Sequence, residues 1–152
     1  MMFWKHLANA RLIEGSFTGI AGSGGTSHGI AGQNIPSGRM SSSAWHVFGN
    51  PYGPVFSSHA EIFDQTNGYF LLYGATTTSG GPAGDIMRAE EAWNIDKKVD
   101  DRMPGQGKIT ARDRADCAIN SSGASPAASE VDATYNLSNS NQSCALLFKD
   151  AF

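Results

Sequence analysis

Three aspartates close together are the residues of this chain best suited to chemistry. Asp96 and Asp100 stand four residues apart, which is one face of a helix, and Asp101 follows directly. Like charges at that spacing repel, and a hard cation such as Ca²⁺ would relieve them, because calcium collects carboxylate and carbonyl oxygens. Asp96, Asp100 and Asp101 are therefore the candidate metal ligands. The alternative is a solvated helix end neutralised by Lys97 and Lys98, and the spacing is not that of an EF-hand loop. Gly25-Thr26-Ser27-His28-Gly29 matches the letters of a hydrolase nucleophile elbow. That elbow needs a strand before the serine and a helix after it, and Gly/Ser-rich sequence flanks this one on both sides. None of His6, His28, His46 and His59 belongs to an HExxH or HxH arrangement. No catalytic or cofactor-binding residue is assigned, and the chain is not expected to be an enzyme.

Cys117 and Cys144 are the two cysteines, and they flank a polar Asn/Ser-rich segment. They are read as one disulfide, which implies an oxidising compartment; two free thiols are the other reading. Closing a loop of roughly 28 residues would contribute about 3–4 kcal/mol.

The elements that must position these residues follow from periodicity. Residues 2–13 carry Phe3, His6/Leu7, Ala10 and Ile13 at helical spacing, with Gly15 as a stop signal. No capping residue precedes this helix, so it is expected to be the end of a longer one. Residues 15–43 have no sustained period and read as a long surface excursion. Strands are expected at 44–48, 59–63, 69–75, 108–111 and 144–149, with the Asn67-Gly68 pair favouring a hairpin turn. A second helix is expected from about Asp85, as its cap, to Val99, with Ala89, Ala92 and Ile95/Asp96 on its inner stripe and Trp93 beside it. Trp45 and Trp93 are core candidates. Residues 112–142 read as polar and irregular. The fold class is α+β: an N-terminal helix on an antiparallel sheet of about four strands, with a second, inserted helix, forming one domain over residues 1–152.

Composition narrows the function. Of the 152 residues only 16% are charged, and the formal net charge is −3, so the basic stripe of a nucleic-acid binder is absent. No apolar run reaches the roughly 20 residues that span a bilayer, and Met1–His6 lacks the form of a signal peptide. Eighteen glycines and many Ser, Thr and Asn residues suit a loop-rich, exposed, β-containing protein.

Three ordered segments resemble a known family. Phe3-Trp4-Lys5-His6-Leu7-Ala8-Asn9-Ala10 with Leu12–Phe17, then Ile95–Asp101 with Met103–Ile109, then Cys117, Tyr135–Ser138 and Cys144 resemble bacterial proteins with a prepilin-type cleavage/methylation segment, the type IV pilins and type II secretion pseudopilins. Arg102 stands where the pattern usually has glycine. The resemblance implies a filament subunit of a pilus or secretion pseudopilus, lacking here its leader and hydrophobic half-helix. Its partners would be other pilin-like subunits, its membrane contact would run only through the missing helix, and its location would be extracellular or periplasmic at the bacterial surface. Its loops would be adhesive. The second expectation is a stand-alone extracellular module binding glycan or protein through Tyr52 and Phe56.

Overall fold

The computed structural model describes residues 1–50, 63, 68–127 and 129–149. Helix α1 spans Met2–Asn9 and α2 spans Ala89–Val99. The strands are β1 Ser43–Asn50, β2 Gly68–Ala75, β3 Met87–Arg88, β4 Ile109–Thr110, β5 Ala118–Ile119, β6 Thr134–Tyr135, β7 Gln142–Cys144 and β8 Leu146–Lys149. Among the described residues the main sheet has four antiparallel strands in the order β1-β2-β8-β4, and β3-β7 and β5-β6 form two small antiparallel pairs. The expected α+β class and four-stranded antiparallel sheet are therefore present. The expected strand at 59–63 lies, apart from Phe63, outside the described residues, as do His59, Tyr52 and Phe56.

Register sorts the side chains of the sheet. Trp45 pairs with Tyr73 and Tyr73 with Leu146; Val47 pairs with Leu71, Leu71 with Phe148, and Phe148 with Ile109. Because side chains alternate along a strand, these residues share one face. Both helices cover it. The β8 side packs with Met87, Ala89, Ala92 and the half-buried Trp93 and Ile95 of the α2 region. The β1 edge joins Trp4 of α1, Phe17 and Ile35, with Val47 and Leu71 against them. The opposite face holds Phe70, Leu72 and Leu147, with Phe48 and Ala83 packed on them.

Several boundaries differ from the sequence reading, each for a local reason. Helix α1 ends at Asn9 rather than Ile13, because Arg11 takes a left-handed φ of 58°, which no helix continues through. Helix α2 begins at Ala89. Asp85 does not cap it; its carboxylate instead accepts from the guanidinium of buried Arg112. The cap position is Arg88, whose N–H donates to Glu91 at 2.8 Å, so the reciprocal half of a capping box does the work. The 15–43 segment is not simply a surface excursion. Ile35 is fully buried, and Asn34, 1% exposed, donates to the carbonyls of Ile20 and His28, so its side chain ties the excursion to itself.

Candidate site at the end of helix α2

Asp96 lies on the inner stripe of α2 and has no exposed surface. A buried carboxylate must be hydrogen-bonded, and both of its oxygens are: Oδ1 accepts the Arg102 N–H at 3.0 Å and Oδ2 accepts the Tyr135 hydroxyl at 2.9 Å. Burial, partly offset by these two hydrogen bonds and reinforced by the nearby Asp101 and Asp100 charges, raises its pKa from 3.8 to about 6. The same burial and carboxylates hold the Tyr135 phenol protonated, its pKa far above the ordinary value.

The other two aspartates fold the turn that follows. Asp100 Oδ2 accepts the N–H groups of Lys108 and Ile109, the second at 2.9 Å. Asp101 Oδ1 accepts the Met103 N–H at 2.8 Å. Three carboxylates thus hold five donors, four of them backbone N–H groups between Arg102 and Ile109. Gly107 fits between them only because it lacks a side chain. Its φ is 79°, and a Cβ there would lie 2.2 Å from Asp100 Oδ2. Arg102, at φ 73°, adopts the left-handed backbone that glycine usually serves, so the turn forms without a glycine at this position.

The predicted metal ligands do come together. One carboxylate oxygen from each of Asp96, Asp100 and Asp101 can be chosen so that all lie within 4.8 Å of one another. That donor set suits a hard, oxygen-seeking cation, and among the described residues no hydrogen bond occupies Asp100 Oδ1 or Asp101 Oδ2. Lys97 is placed elsewhere, with its Nζ 4.5 Å over the Trp93 ring. The sequence reading missed Tyr135 as a partner of Asp96. Its place inside the Tyr135–Ser138 resemblance was the available signal, but nothing local says that it reaches α2.

The second expected feature is also in place. Cys117 and Cys144 form a disulfide, with their Cα atoms 5.1 Å apart. It lies in the main core cluster beside Tyr135 and joins the residue preceding β5 to the end of β7.

The remaining candidates separate. Ser27 is exposed in a turn, and Gly25–Gly29 has neither a strand before it nor a helix after it, so no nucleophile elbow is built. His28 is half-buried rather than solvated, and its Nδ1 accepts the Gly24 N–H at 2.9 Å. His46 is buried, with Nδ1 2.8 Å from the Val47 carbonyl and its ring stacked on Phe48. Burial lowers its pKa. Among the described residues no helix is long and apolar enough to cross a membrane. No family model matches the chain, and neither the curated proteins nor the solved structures contain a match to it.

Proposed function

We propose that this chain is the head of an exported, non-enzymatic filament subunit of the pilin or pseudopilin type. The observation that carries this reading is how the three family-like segments are used. The first forms a helix packed through Trp4 on an antiparallel sheet. The second forms the end of α2 and the aspartate-held turn. The third supplies the disulfide and Tyr135, which is bonded to that turn. Each segment has a structural task, and together they build one scaffold. In this reading a hydrophobic helix preceding α1 packs with its counterparts in the filament core, and the sheet and loops face outward. The disulfide is compatible with an oxidising extracellular or periplasmic location.

The coding frame upstream of Met1 tests the proposal. The expected result is a short basic leader, a cleavage junction of the Gly-Phe type with a glutamate soon after, and about 20 apolar residues. A stop codon or an ordinary secretory signal there would overturn it.

The converging carboxylates favour a second, compatible role as the seat of a structural Ca²⁺ ion. Calcium should then raise the melting temperature of the protein, and Asp101→Asn, which keeps an oxygen for the Met103 N–H, should abolish the increase. An unchanged melting temperature across millimolar Ca²⁺ would leave the aspartates as hydrogen-bond acceptors alone.

A further inference from the structure

We propose that the helix-covered face of the sheet holds a binding site for a small aromatic carboxylate. A groove of about 550 Å³ opens there between the β1–β2–β8 surface and α2, within the range of small-molecule sites. Its floor is aromatic. Trp45 lies with its ring centroid 4.4 Å from that of Tyr73 and 5.6 Å from that of Phe148, tilted by 33° and 46°. Trp45 and Phe148 are only half-buried, so their rings keep surface to offer, and Ile95 of α2 also lines the groove. Aromatic rings prefer offset or edge-on aromatic partners, which favours a planar ring over an alkyl chain.

The polar groups decide the rest of the ligand. Tyr73 donates its hydroxyl to Ser43 Oγ at 3.0 Å. Glu91 is held by Arg88, through the backbone N–H at 2.8 Å and the guanidinium at 3.5 Å. Arg39 is different: it is exposed at the groove and has no ion-pair partner among the described residues. Its planar fork matches a carboxylate through two parallel hydrogen bonds. One such cation beside an aromatic floor suits a ring bearing a carboxylate. A sugar would need several free donors and acceptors, and this groove has already used most of its own.

The test is a titration of ¹⁵N-labelled protein with indole-3-propionate, with the neutral amide and octanoate as comparisons. Saturable shifts at the Trp45 indole N–H are expected, with the amide and octanoate each binding at least tenfold more weakly. Arg39→Ala should weaken indole-3-propionate by roughly 10–100-fold, the range for one charge-assisted contact. Met40→Trp, which fills the groove beside Trp45, should abolish binding while thermal melts show both variants folded. No saturable shift at millimolar ligand would overturn the proposal. So would equal binding by the amide, equal binding by octanoate, or undiminished binding to Arg39→Ala. The measurement needs no assembly, so its outcome is separate from that of the filament reading.

Discussion

Two buried titratable side chains set opposite pH dependences on this fold. His46 is stacked on Phe48 and buried as the neutral ring. Its folded pKa lies below the ordinary 6.5 because of that burial, so the folded state binds fewer protons than the unfolded one. The stability that it contributes is present above pH 6.5 and is lost as the pH falls below it. Substituting His46→Phe should flatten that acid-side loss in a series of denaturant melts. Asp96 runs the other way. Its pKa is raised from 3.8 to about 6, so its contribution is complete below pH 3.8 and lost as the pH rises through about 6. Asp96→Asn keeps an acceptor for the Arg102 N–H and a polar partner for Tyr135. It should make the protein more stable above pH 6 by roughly 1–3 kcal/mol and leave it little changed at pH 4. A variant destabilised above pH 6 would mean that the ionised carboxylate is needed, as a bound cation would require.

At the scale of elements, the turn after α2 illustrates how a helix end can be closed against its own dipole. Carboxylates at a helix C-terminus are unfavourable, and three stand at or just beyond this one. They are retained because they satisfy backbone N–H groups of the following turn, a gain that includes charge-assisted bonds. Gly107 is the geometric condition for this arrangement. Gly107→Ala places a Cβ against Asp100 at a positive φ, and the expected loss is about 1–3 kcal/mol, measured by chemical denaturation. The Asp96, Asp100 and Asp101 cluster was legible in the sequence because helical spacing alone brings the first two together. The hydrogen bonds that the cluster makes were not, since they depend on how residues 102–109 return across it. The two-residue strands β3, β5 and β6 were illegible for a related reason. They are too short to carry a period, and pairing partners far along the chain create them.

Across the whole molecule, the disulfide joins parts that the main sheet does not. It ties the residue before β5, in the polar 112–142 region, to β7, which pairs with β3 at the start of α2. Replacing both cysteines by alanine should cost about 3–4 kcal/mol by loop entropy, seen as a lower melting temperature. The loss should match that of the wild type under a strong reductant. A double variant as stable as the oxidised protein would show that the core around Tyr135 and Leu146 holds this region unaided.

The sequence by itself determined the elements whose signal is local. Periodicity placed α2 and the long strands β1 and β2, and the cysteine count implied the bridge. Only the tertiary structure decided which residues became neighbours. It set Tyr135 on Asp96, drew Asp85 away from its capping role to Arg112, buried Ile35 beneath an apparent surface loop, and opened an aromatic groove beside Arg39. The physical reason is that burial and hydrogen-bond satisfaction are properties of the packed chain. A carboxylate, an arginine or an isoleucine has its role settled by what lies against it, and spacing along the sequence carries that information only within a helix, a strand or a turn.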